Sequence, residues 1–288
     1  MKILICLVMA LPGLFSFTAN NDMMQQAREK NGQYATINGI RMYYEIHGND
    51  GGIPLVLIHG GGSTIPSNWG TLLPLLAPCY RVIAMELQAH GRTGDRNGPE
   101  SFQQDAADVA ALLQYLHIRQ ANIVGFSDGA CTTMEIAIHH PAIAHKIVLI
   151  SGNYKRAGMA PGFFEGLEKA TFTDMPAPLT TAYLEVNPDQ QGVVNMFNKD
   201  RAKRMAFRDR TAEDMQSISV PSLVIGGDRD VITAQHFVEM SQVIPGARLA
   251  ILPGNHGSFI GERLTFEAGS PMPGITAGII RAFLDGQP

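Results

Sequence analysis

The chain has 288 residues, 45% of them hydrophobic and 17% charged, with a formal net charge of -4 and a sequence pI near 6.1. Length and composition suit one large core with room for an insertion and exclude a disordered or fibrous chain. The mild acidity gives no reason to expect nucleic acid or an anionic membrane surface as partner, and a small neutral or cationic molecule fits better.

Met1 and Lys2 open an apolar run over 3–17 that ends among the small residues Ser16, Thr18 and Ala19. This reads as a secretory signal peptide over 1–19, with a mature chain beginning near Ala19 to Asp22 that is secreted or periplasmic. The run is shorter than the ~20 residues a spanning helix needs, so no stable membrane anchor is expected. Cys6 stands too early for a lipid-attachment site.

Past a polar spacer, two strands are predicted over 34–39 and 40–46, turning at Asn38-Gly39. A buried strand over 54–58 runs into His59-Gly60-Gly61-Gly62, and an apolar helix over 68–77 follows. A strand over 82–85 precedes a helix that starts at Ser101, with Gln104 in capping-box position, and ends near His117. The β-branched run of 121–126 then stops at Gly125-Phe126-Ser127-Asp128-Gly129, and a helix-period segment over 130–140 is closed by Pro141. Strand, sharp turn and helix in that order hold the serine in an unfavourable backbone conformation. Gly125 and Gly129 are needed because a Cβ there would strike a neighbouring element. Ser127 is thereby offered as a nucleophile beside a helix N-terminus. Strands over 146–150, 222–226 and 248–251, with helices over 235–243 and 275–284, complete an alternation typical of a parallel sheet covered on both faces.

The segment 152–220 is too long for a loop and reads as a helical insertion dividing the core into 20–151 and 221–288. Its Phe163, Phe164, Phe172, Met175, Tyr183, Met196, Phe197, Met205 and Phe207 are expected mostly to pack the insertion onto the core. Phe163 and Met196, with Phe126, are the candidates to line a substrate pocket. Lys199, Arg201, Lys203, Arg204, Arg208 and Arg210 read as a solvated helix face.

At these motifs the chain resembles the α/β-hydrolase superfamily. The nucleophile turn, the His-Gly loop after an earlier strand, Gly227-Asp228-Arg229-Asp230 and Asn255-His256-Gly257 stand in that family's order, each at a predicted strand end. The resemblance implies an α/β-hydrolase fold: a mostly parallel eight-stranded sheet, helices on both faces and a small helical cap. It implies Ser127 as nucleophile, His256 as base and Asp230 as acid, with Asp228 stabilising its turn. It also implies oxyanion donors on the amides of Asp128 and Gly61, with Gly62 the alternate for the second. His59 would shape the oxyanion turn, and His117, His139, His140 and His145 fall at helix ends or on helical faces, where an exposed or capping histidine is expected. Glu86 stands where relatives carry Asp in an Asp-x-x-Gly-His-Gly pattern, and loop support is its expected use. On this architecture Cys79 and Cys131 lie on opposite faces of the sheet and are expected as separate buried thiols.

The activity implied is hydrolysis of small carboxylic esters through an acyl-enzyme. The family's amidases, aminopeptidases, lactonases and carbon-carbon bond hydrolases share these residues, and a non-catalytic binder on the same fold is the reading from another class. No metal or nucleotide motif is present, so no cofactor is expected. Asp128 keeps two readings open: a helix-start carboxylate pointing away from the pocket, or a site for a substrate ammonium, as in biphenyl-hydrolase-like proteins, which share Ser-Asp-Gly.

Overall fold

The computed structural model describes residues 31–48 and 51–286, so the leader expected over 1–19 lies outside the described residues. The described residues from Gln33 onward form one compact unit. Eight strands form one sheet in the order β1-β2-β4-β3-β5-β6-β7-β8. They are β1 (Gly32–Ile37), β2 (Ile40–His47), β3 (Leu55–Ile58), β4 (Val82–Met85), β5 (Ala121–Phe126), β6 (Ala144–Ile150), β7 (Ser222–Gly227) and β8 (Arg248–Leu252). From β4 onward across the sheet the pairing is parallel, while β2 runs antiparallel to β4. Asn38 and Gly39 both take positive φ, 44° and 85°, the conformation that a two-residue hairpin turn demands.

Side-chain alternation sorts the strands between two cores. Val56, Ile58, Ile83, Met85, Ile123, Ile147 and Leu149 face one way, against α3 (Phe102–Tyr115), α4 (Asp128–His139) and α9 (Ala234–Val243). Leu55, Leu57, Val82, Ala84, Val124, Val148 and Ile150 face the other, against α1 (Ile65–Trp69), α2 (Leu73–Leu76) and α10 (Met272–Asp285). A strand buried on both faces has no polar position to alternate with, which is why these strands read as unbroken apolar runs. Each fully buried Val, Leu or Ile adds about 1.5–3 kcal/mol of burial free energy.

Two local expectations are corrected. The helix predicted over 68–77 is two short helices, α1 and α2, because Thr64 and Ser67 form a capping box that starts the first one earlier and Gly70 closes it. Cys79 is exposed, since it stands in the turn after α2, beyond the core-facing Leu73 and Leu76, whereas Cys131 is buried; both are free.

Between β6 and β7 the chain inserts α5 (Phe163–Lys169), α6 (Ala177–Val186), α7 (Gln190–Met205) and α8 (Ala212–Gln216). Of the cationic cluster of this cap, Arg208 is exposed as expected, but the cluster as a whole is not a solvated face. Lys203, Arg204 and Arg210 are buried, because acidic groups of the core meet them: Arg204 pairs with Asp128 and Arg210 with Glu135 at 2.7 Å. The Lys203 ammonium lies among the carboxylates of Asp105 (3.1 Å), Asp200 (3.3 Å) and Glu100 (3.4 Å), with Asp128 at 4.0 Å. Of the others, Lys199 pairs with Asp95 at 2.5 Å and Arg201 donates to the carbonyls of Leu167 and Glu168.

Candidate active site

The turn between β5 and α4 holds Ser127 at φ 55° and ψ -116°, a conformation that costs a side-chain-bearing residue about 1–3 kcal/mol. The glycines on either side make the turn possible. A Cβ on Gly125 would lie 2.2 Å from the Gly129 carbonyl oxygen, and one on Gly129 would lie 2.1 Å from that of Ile58. The Ser127 amide donates to the Ile150 carbonyl at 2.8 Å, tying the turn to the next strand.

His256, in the loop after β8, brings Nε2 to 3.0 Å from Ser127 Oγ and Nδ1 to 2.7 Å from Asp230 Oδ1. Asp230, in the loop after β7, also accepts from Ser151 Oγ at 2.5 Å and from the Ile232 amide at 3.2 Å. Burial raises the Asp230 pKa, but the imidazole and these donors outweigh it and hold the carboxyl below its ordinary value. A carboxylate on Nδ1 leaves Nε2 free to take a proton from the serine hydroxyl, the arrangement that activates a nucleophile. Asp228 turns elsewhere, accepting from the Gly254 amide at 2.8 Å. Sequence reasoning missed Ser151, whose own φ of 50° aims its hydroxyl at Asp230.

Buried close by, Glu262 accepts from the Leu264 amide at 2.9 Å. Burial pushes its carboxyl up to about 7, against the opposing pull of that amide and of His256. A raised carboxyl pKa contributes stability at low pH that is lost as pH rises through the folded value. Glu262→Gln, uncharged throughout, is therefore expected to gain on the wild type by about 2 kcal/mol in stability between pH 5.5 and pH 8.5. Urea midpoints at the two pH values check this, and a gap of equal size at both would refute it.

The loop after β3 supplies the second group of amides. His59, fully buried, donates from Nδ1 to the Gly60 carbonyl at 2.7 Å and accepts the Leu87 amide on Nε2 at 3.0 Å. Burial, then the neighbouring His90, lowers its pKa to about 3, so it is a neutral, fixed part of the turn. Burial works against protonation of His90 too, but Asp200 at 3.0 Å overrides it and holds that imidazole at about 9. Gly60 donates to Asn68 Oδ1 at 2.7 Å and Gly62 to Asp200 Oδ2 at 2.6 Å. Among the described residues the amides of Gly61 and Asp128 have no hydrogen-bond acceptor. Glu86, buried at the end of β4, accepts from the Arg92 amide at 2.7 Å and forms an ion pair with its guanidinium at 2.6 Å, supporting the neighbouring loop.

A cavity of about 360 Å³ joins these groups. Its core side is Gly61, Gly62, Ser127, Asp128 and His256; its cap side includes Phe163, Leu167, Met175, Leu179, Phe197, Asp200 and Arg204. Of the predicted lining, Phe163 is present and two residues are not. Met196 is fully buried inside the cap against Tyr183 and Val193, on the helix stripe that faces α6. Phe126, the last residue of β5, points to the opposite side of the sheet from Ser127's neighbours in the cavity and packs behind His256, ring centroids 4.8 Å apart. Asp128 stands at the start of α4 and lines the cavity, with its side chain turned to the cap and bound by Arg204, which also donates to Asn153 Oδ1 at 2.9 Å.

Fold and site together define an α/β hydrolase, and comparison with known proteins agrees. The model of the alpha/beta hydrolase family matches residues 55–264, and the chain belongs to that family. It is 29% identical over 248 residues to the dihydrolipoyllysine-residue acetyltransferase component of the acetoin cleaving system of Pseudomonas putida, covering 79% of this chain and 65% of that protein. The chain thus spans just under two thirds of that relative's length. It is 27% identical over 221 residues to pyrrolizixenacetamide deacetylase of Xenorhabdus hominickii, covering 70% of this chain and 83% of that one. Among solved structures, the enol-lactonase of Burkholderia xenovorans LB400 superposes with a TM-score of 0.66 at 25% identity, covering 88% of this chain and all of that one.

Proposed function

We propose that this protein is a serine hydrolase that cleaves small, neutral carboxylic esters through an acyl-enzyme. Ser127 attacks the acyl carbon, His256 takes its proton and returns it to the leaving alcohol, and Asp230 holds the imidazole and its developing charge. The amides of Asp128 and Gly61 receive the oxyanion. The observation that carries the reading is the hydrogen-bonded chain from Ser127 Oγ through His256 to Asp230, which opens on a cavity with two unclaimed amides beside the serine. A fluorophosphonate probe should label the wild-type chain and not Ser127→Ala; absence of labelling in folded wild-type protein would favour a binding protein. A screen of short and long acyl esters, aryl amides and lactones then fixes the class of bond. The deacetylase and the enol-lactonase among its relatives are the reason to include the last two.

Neutral substrates follow from Asp128. Its carboxylate is already matched by Arg204 and approached by Lys203, and the cap side of the cavity offers mainly apolar side chains. A substrate ammonium would have to displace a buried guanidinium, leaving that charge unpaired. α-Amino esters are therefore expected to show kcat/KM within about 3-fold of their des-amino analogues. A preference above about 10-fold for the amino ester would restore Asp128 as an ammonium site.

A further inference from the structure

Asp200 and Arg204 stand one turn apart on α7, and each reaches a different wall of the oxyanion site. Arg204 holds the side chain of Asp128. Asp200 accepts the amide of Gly62 on Oδ2, at 2.6 Å, and the same oxygen lies 3.0 Å from His90 Nε2. His90 is itself fixed, with Nδ1 donating to the Gln88 carbonyl at 2.8 Å and its ring 4.7 Å from that of His59.

The consequence lies in the two peptide planes that meet at Gly61. The first carries the Gly60 carbonyl and the Gly61 amide. Because a peptide is planar, the bond from His59 Nδ1 to the Gly60 carbonyl also bears on where the Gly61 N–H points, but one bond leaves that plane free to tilt. The second plane carries the Gly62 amide, and Asp200 anchors it. A glycine has two freely rotating dihedrals and no side chain to restrain them, so Gly61 keeps its direction only while both planes are held. One anchor belongs to the core, and the other comes from the cap.

Resting on the serine-hydrolase reading, we infer that α7 braces the oxyanion site and that Asp200 is a positioning residue, which fixes the Gly61 amide toward the oxyanion by holding Gly62. Gly62 is thereby removed as a donor, since its N–H is consumed. The cap does more than enclose substrate, because the oxyanion site is incomplete without a residue that the cap supplies.

The test compares Asp200→Ala, Asp200→Asn and Lys199→Met with the wild type on an ester from the screen, with folding checked by circular dichroism. Lys199 ties the same helix to the core through Asp95 at 2.5 Å and the Arg96 carbonyl at 2.8 Å, away from the oxyanion loop. A displaced oxyanion donor costs about 100-fold, so Asp200→Ala should lower kcat by about that factor with KM within about 3-fold. Asp200→Asn keeps a carbonyl acceptor for Gly62 and should lose only about 10-fold, a partial rescue that a general loosening of the cap would not give. Lys199→Met should retain wild-type kcat. If Asp200→Ala does not fold, the fall in Asp200→Asn decides. Wild-type kcat in the Asp200 variants, or an equal fall in Lys199→Met, overturns the inference. A wild-type chain that the fluorophosphonate does not label overturns the serine-hydrolase reading beneath it, so the two failures are told apart.

Discussion

Ser127→Ala and His256→Ala are each expected to lower kcat by about 10⁵–10⁶-fold, and the double variant by no more than either single change, because hydroxyl and imidazole act as one unit. Asp230→Ala is expected to be milder, about 10⁴-fold, since an imidazole without its carboxylate still reaches the serine but in a poorly held tautomer. Ser127→Ala should leave stability nearly unchanged, because the Oγ makes its one described hydrogen bond to His256 and the strained backbone remains strained in alanine. Asp228→Ala removes only a bond to the Gly254 amide and should keep most of the turnover. Steady-state kinetics on the four single variants and the double variant check this, and a crippled Asp228→Ala beside a tolerated Asp230→Ala would reverse the choice of acid.

The contrast between those aspartates shows what a sequence carries. Strand ends and glycine spacing are local: a residue two positions beyond Asp228 projects farther past β7, and Gly125 and Gly129 mark the turn between them. The alternation of apolar runs with helix-period segments likewise made the sheet readable, because burial on both faces leaves a continuous signal. The cap defeated the same reasoning. The stripe of α7 that faces inward, Val193, Met196, Asp200 and Lys203 with Arg204, is charged at three of these five positions, so hydropathy saw no buried face. Its partners Glu100, Asp105 and Asp128 lie roughly a hundred residues earlier for the first two and more than seventy for the third. The spacing of three and four that runs from Val193 and Met196 to Asp200 and Lys203 was the available signal, and it places the charges on the apolar stripe. Phe126 failed for a simpler reason, since adjacent residues at a strand end point to opposite faces.

Arg204→Met is expected to lower kcat by about 100-fold and stability by about 3–5 kcal/mol, because it leaves the buried Asp128 carboxylate without its guanidinium. The two losses have different origins. The stability term is the cost of an uncompensated buried charge, eased only in part by Lys203 at 4.0 Å. The kinetic term is electrostatic: in the proposed mechanism the oxyanion forms against the amide of the same residue, and an unmatched carboxylate there opposes the developing negative charge. Removing that carboxylate should repair both. Asp128→Asn in the Arg204→Met background is expected to recover at least 10-fold in kcat and about 2 kcal/mol, whereas Asp128→Asn alone strands Arg204 and should be less stable than the wild type. A double-mutant cycle in kcat and urea midpoint measures the coupling. If the double variant is no faster and no more stable than Arg204→Met alone, the guanidinium does not act on the site through Asp128.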